Sequence, residues 1–238
     1  DPDGLLNRAA ARYLTGGFRG AVADLDAAEQ HGSTRTRLFA LRETAKRRLG
    51  DQAGADRDRK AFLESEPTDP LSWNVRGEWK RDAQPRDVTG ALADFDAALA
   101  LDPSLFGALR NKANLLSEDP ATQPKAIELL DRVLALAPDS LGDRAGRAVL
   151  LARVGRTEEA LREVAACAPG AKDGLTLYQL ASAALVAGDR ARGLALLQSA
   201  LRKDPGLVSL MRDDPDLHSV QKDTKYRNLI AAADTLNQ

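Results

Sequence analysis

Residues 21–28 read Ala-Val-Ala-Asp-Leu-Asp-Ala-Ala, and residues 91–98 read Ala-Leu-Ala-Asp-Phe-Asp-Ala-Ala. The two octets differ by two apolar exchanges and lie 70 residues apart, about twice a 35-residue period. A more decayed copy is therefore expected between them. Small residues recur at Ala21, Ala55, Ala91, Ala126, Ala160 and Gly193, in steps of 34, 36, 35, 34 and 33. Such a period is the signature of an array of two-helix repeats, whose core grows in one dimension as repeats are added.

Composition fits an all-α array. The 238 residues are 43% hydrophobic but only 4% aromatic, so Ala and Leu carry the apolar content and favour closely packed helices over strands. No apolar run reaches the ~18–20 residues that cross a bilayer, so no membrane insertion is expected. There is no initiator Met and no cleavable leader pattern, and the expectation is a piece of a larger polypeptide. The net charge of −1 gives no bulk attraction to nucleic acid or membrane. A single cysteine, Cys167, excludes an intrachain disulfide framework and a Cys-clustered metal site, which makes a cytoplasmic location the default. Arg outnumbers Lys and Ala is abundant, the usage of a GC-rich bacterial genome.

Apolar positions recur at three and four residues through most of the chain, predicting helices almost throughout. Gly16, Gly50, Gly155 and Gly188 each stand where a left-handed residue would close one helix of a pair. Glu66-Pro67, Asp102-Pro103, Ala137-Pro138 and Asp204-Pro205 stop the second helix. Trp73, Gly77, Ala91, Phe95, Ala98 and Pro103 then give the full pattern of one repeat. Leu109, Ala113, Ala126, Leu130, Val133 and Pro138 repeat it, as do Leu177, Ala181, Gly188, Gly193, Leu197, Ala200 and Pro205. In this pattern the chain resembles the tetratricopeptide repeat (TPR) family.

The resemblance implies a right-handed α-α superhelical solenoid of about six helix pairs over residues 1–205. The repeats fall at about 3–34, 35–69, 70–105, 106–140, 141–172 and 173–206. Residues 207–238 form C-terminal closing helices. The second repeat departs most, because Arg59 replaces the large apolar residue of its second helix, and looser packing is expected there. The run Asp213-Asp214-Pro215-Asp216-Leu217 resembles the closing stretch of TPR regions carried by bacterial eukaryotic-like Ser/Thr kinases. The chain itself has no Gly-rich phosphate loop, Val-Ala-Ile-Lys or His-Arg-Asp motif.

Catalytic constellations are sparse. His31 and His218 lie in a connector and in the closing segment, neither with a second ligand at metal spacing. No metal or cofactor is expected. Cys167 falls in a small-residue core slot, where a thiol acts as a small hydrophobe, and no histidine is near it in sequence to act as base. Asp24 with Asp26, and Asp94 with Asp96, look like paired carboxylates. Residues two apart on a helix point to different faces, so these read as polar flanks of Leu25 and Phe95. The expectation is no enzyme but a scaffold that binds a protein or peptide, as a regulatory part of a larger bacterial protein such as a Ser/Thr kinase. The alternative is a structural spacer or regulatory array attached to another catalytic domain, for example a protease or hydrolase.

The family resemblance implies a groove lined by the first helix of each pair, helix A. Its positions here are Asn7, Leu41, Thr44, Asn74, Glu78, Arg110, Asn111, Asn114, Tyr178, Gln179 and Ser182. Asn and Gln can pair with the backbone of an extended peptide, and Arg110 can hold a carboxylate. Asn74, Arg110, Asn111 and Asn114 are expected to meet on adjacent helices. Chaperone-binding members of the family clamp a terminal carboxylate with Lys and Asn. Leu6 and Ala10 stand at the matching places, so that clamp is not expected here. A second candidate surface is basic. Arg35, Arg37, Arg42, Lys46, Arg47, Arg48, Arg57, Arg59 and Lys60 crowd one segment. It reads as a solvated helix face, or as a patch of Arg37, Lys46, Arg47 and Arg48 for an acidic or phosphorylated partner. Few aromatics interleave it, so nucleic acid is not the expected partner.

Overall fold

The computed structural model describes residues 1–236. Among them are fourteen α-helices and no strand. The helices pair as α1 (Pro2–Leu14) with α2 (Phe18–Gln30), α3 (Arg37–Arg48) with α4 (Gln52–Glu64), and α5 (Pro70–Asp82) with α6 (Val88–Leu101). There follow α7 (Phe106–Leu116) and α8 (Gln123–Leu136), α9 (Leu141–Arg153) and α10 (Thr157–Cys167), and α11 (Gly174–Val186) and α12 (Arg190–Lys203). The chain ends with α13 (Val208–Asp213) and α14 (Thr224–Leu236). It divides into two compact units, Asp1–Leu115 and Leu116–Gln238.

Local chemistry sets the helix ends. Gly16, Gly50, Gly155 and Gly188 have φ of +79°, +81°, +81° and +90°, a conformation a side chain would strain. Asp51, Asp69, Asp87, Asp173 and Asp189 each accept a hydrogen bond from a backbone N–H of the helix they precede, which satisfies a donor the helix leaves open.

The packing code read from the octets is the core. Ala21, Leu25 and Ala28, then Ala91, Phe95 and Ala98, then Ala160, Val164 and Cys167 are all fully buried. In the third repeat the larger Phe95 is accommodated by Gly77 on the facing helix. A Cβ at Gly77 would stand 2.6 Å from the Phe95 ring and 3.2 Å from the Ala91 carbonyl oxygen. Gly77→Ala gains helix propensity of about 1 kcal/mol but overpacks a rigid, buried ring by about 1–3 kcal/mol. A net loss of stability in chemical denaturation is expected; a gain would show that Phe95 yields freely.

The second repeat corrects the expectation of loose packing. Phe62 sits in the slot that Ala28 and Ala98 fill elsewhere and is fully buried. Its ring packs edge-on against Trp79 with centroids 4.9 Å apart. Arg59 remains half-buried, its guanidinium 5.4 Å over the Trp79 ring. One large ring, displaced by three residues, replaces the missing apolar side chain.

The paired aspartates are also corrected. Asp24 and Asp94 are not polar flanks: both are buried, as is the equivalent Asp58. Each receives two cations from helix A of its own repeat. Asp24 takes Arg8 and Arg12, Asp58 takes Arg42 and Lys46, and Asp94 takes Arg76 and Lys80, all at 2.7–2.9 Å. The hydrogen bond from Arg8 holds the Asp24 carboxyl below the usual carboxylate range. The second aspartate of each octet reaches forward instead, Asp26 to Arg42 and Asp96 to Lys112 on the next helix A. In the C-terminal unit Asp131 pairs with Arg147 at 2.6 Å, and Arg147 also meets Glu163 at 3.3 Å. The sixth repeat places Leu180 and Leu196 at the cation and acid positions, both buried.

The closing segment keeps the period. Helix A starts fall at residues 2, 37, 70, 106, 141, 174 and 208, and Tyr226 follows Gly193 by 33. It is a seventh repeat whose helix A breaks at Asp214-Pro215, because proline disfavours a helical predecessor. Asp214 is extended and caps the 3-10 turn Pro215–Leu217. Leu217 is fully buried, and Asp216 takes a two-pronged pair from Arg153.

Candidate interaction surface

In the N-terminal unit, the helix A faces of α1, α3 and α5 enclose a cleft of about 330 Å³. Leu6, Ala10, Ala40, Leu41, Val75 and Trp79 make its apolar lining, and Asn7, Thr44, Arg37 and Glu78 supply polar groups. Four of the groove positions read from the sequence, Asn7, Leu41, Thr44 and Glu78, therefore face one space. Asn7 is exposed. The Thr44 hydroxyl is turned back to the Ala40 and Leu41 carbonyl oxygens.

Beside the cleft stands a polar cluster on α5 and α7. Asn111 donates to Asn74 at 3.0 Å and to Glu78 at 2.6 Å, and Asn74 donates to Glu78 at 3.1 Å. Asn74 and Asn111 thus meet as expected, and Glu78 belongs to both the cluster and the cleft. Arg81, absent from the sequence reading, donates to Asn111 at 3.1 Å. Arg110 lies 4.4 Å over the ring of Phe106, one turn earlier on α7. Asn114 is exposed on the same helix.

The positions in the C-terminal unit differ in kind. Tyr178 is buried, and its hydroxyl donates to Asp214 of the seventh repeat. Burial, with the Asp214 carboxylate beside it, pushes the phenol well above its ordinary range. Gln179 is half-buried, and Ser182 is buried. Tyr178 thus faces the broken helix of the next repeat, a contact visible in sequence only once Asp214 is placed in register.

Several of the basic residues are met by carboxylates. Lys46 pairs with Asp58 at 2.8 Å, and Arg47 with Glu43 and with Asp56 at 3.2 Å. Arg42 is buried against Asp58, Asp26 and Glu29. Arg48 is exposed, and Arg37 lines the cleft. Among the described residues no group of His, Cys, Asp and Glu is arranged to hold a metal ion. Burial pushes the Cys167 thiol up, away from the thiolate that nucleophilic chemistry needs.

No family model matches the chain, and no curated protein matches it. Solved structures do. A tetratricopeptide repeat protein from Parabacteroides merdae aligns over 100% of this chain and 93% of its own, at 18% identity and a TM-score of 0.63. PilF of Pseudomonas aeruginosa aligns over 94% and 97%, at 16% identity and a TM-score of 0.64. The type IV pilus biogenesis factor PilW aligns over 92% and 97%, at 18% identity and a TM-score of 0.64. The fold is that of the tetratricopeptide repeat proteins. Within it, the cleft and the polar cluster occupy helix A faces, while one face of α2, α6 and α10 is taken up by the buried small–large–small code. No described helix is long and apolar enough to cross a membrane.

Proposed function

We propose that this chain is a non-catalytic protein-interaction scaffold. Its N-terminal unit holds an extended peptide or partner segment against α1, α3 and α5. The cleft carries the reading: there the apolar side chains Leu41, Val75 and Trp79 from successive repeats face a shared space, with Asn7 at its edge to pair with a peptide backbone. Apolar walls with a few polar groups are the usual make-up of a binding site. We further read the array as a cytoplasmic, regulatory part of a larger bacterial polypeptide, such as a Ser/Thr kinase. The closing Asp-Pro-Asp-Leu stretch supports that attachment.

Leu41→Glu tests the binding reading, because it sets a carboxylate in the apolar wall of the cleft at a position that is only partly buried, at the edge of the core cluster formed by Leu6, Leu25 and Leu38. Wild type and variant, matched in circular dichroism, are used as baits. Partners retained by the wild type are expected to fall by about tenfold or more on the variant, the scale of a central contact. The same partners at the same yield on both would place binding elsewhere.

A further inference from the structure

The cleft contains one cation for which the protein supplies no counter-ion. Along α3, Arg42, Lys46 and Arg47 are met by carboxylates, and Arg48 is exposed to solvent outside the cleft lining. Arg37, the first residue of the same helix, lines the cleft and is met by no carboxylate among the described residues. Its backbone N–H is held by the Ser72 hydroxyl at 3.1 Å, which fixes where the side chain starts. Its Nε is buried from solvent with no hydrogen-bond partner, and no described residue forms an ion pair with its guanidinium. Glu78 shares the cleft but is engaged by Asn74 and Asn111. The two terminal guanidinium nitrogens have no partner among the described residues either and, unlike Nε, are not closed off, so they are the donors a group in the cleft can meet.

Resting on the groove reading above, we infer that the cleft takes an extended peptide in which an Asp or Glu adjoins a large aliphatic residue. The side-chain carboxylate pairs with the Arg37 guanidinium, whose planar fork matches it in two-pronged fashion. The aliphatic neighbour packs against Leu41, Val75 and Trp79. Position decides for an internal acid over a chain terminus. Packed helices lie about 8–10 Å apart, so three in succession span about five or six extended residues. Arg37 stands on the middle helix and meets the middle of such a segment. Charge decides for a carboxylate over a phosphate: one unpaired cation faces the ligand, and the Glu78 carboxylate in the same cleft repels a dianion.

The test is a phage-displayed library of random dodecapeptides panned against the full chain. Enriched peptides are expected to share an acid within two positions of Leu, Ile or Met. Synthetic copies, followed by fluorescence anisotropy, should bind about tenfold or more weakly to Arg37→Gln. Replacing the peptide acid by its amide should cost the same, with no further loss when both changes are combined. Arg37→Lys should recover part of the binding, and circular dichroism melting controls for folding. Enriched peptides without an acid, or binding indifferent to Arg37→Gln but lost on Leu41→Glu, would overturn the inference and leave the groove standing. Binding that survives Leu41→Glu, or no enrichment at all, would overturn both.

Discussion

Asp94→Asn is expected to destabilise the protein by about 3–5 kcal/mol, the cost of removing one partner from a buried ion pair. Asp94 is 3% exposed and serves Arg76 and Lys80, which are 11% and 25% exposed. Losing the carboxylate leaves two cations facing each other with little water to replace it. Asp96→Asn, two residues on, is the control. Its carboxylate is 61% exposed, and its pair with Lys112 is worth about 0–1 kcal/mol, as surface pairs are. Urea or thermal unfolding of the two variants should therefore diverge sharply. Equal midpoints would mean that Asp94 is solvated in the folded protein. A triple change of Arg76 and Asp94 to Leu and Lys80 to Ala, the arrangement the sixth repeat carries as Leu180, Leu196 and Ala184, should restore most of the loss, because apolar groups can replace a buried pair at little cost.

Phe62→Ala is expected to cost about 3–5 kcal/mol, as for other fully buried rings. The ring fills the slot that small residues occupy in the first and third repeats, so no neighbouring side chain is shaped to close the gap. Trp79, in edge-on contact with it, loses one wall, and tryptophan emission should shift to the red. Arg59→Leu should change stability by about 1 kcal/mol or less, because the half-buried side chain gives up one cation–π contact with Trp79 and leaves no buried charge behind. If Phe62→Ala were as mild as Arg59→Leu, the second repeat would be loosely packed after all.

Period, helix pairing and core slots were legible because sterics write them directly. Ala21, Ala55 and Ala91 are small since helices approach there, and Gly16 and Gly50 turn where a side chain would strain. The electrostatic layer was missed although its signal is in the chain. Arg8, Arg42 and Arg76 recur at intervals of 34, each followed 16 to 18 residues later by an aspartate. Reading aspartates for chemistry, and not for the cations opposite, hid the pattern. Candidate site residues were harder to rank, because helix A positions look alike until burial separates them. Asn7 is exposed and Tyr178 is consumed by Asp214, and nothing within either helix distinguishes the two.

The forward-reaching aspartates mean that the repeats are not interchangeable. Asp26, Asp96 and Asp131 each find a cation sixteen residues downstream, but the equivalent residue of the second repeat is Lys60. There Arg76 is met instead by the Ser65 carbonyl oxygen at 3.0 Å and the Glu66 carboxylate at 3.7 Å. A recombination that set the fifth repeat behind the second would bring Arg147 up against Lys60. One that set the third behind the first would hand Arg76 the carboxylate of Asp26. The order of the modules is thus inscribed in their charges, and duplication or shuffling of this gene is permitted at some seams and penalised at others.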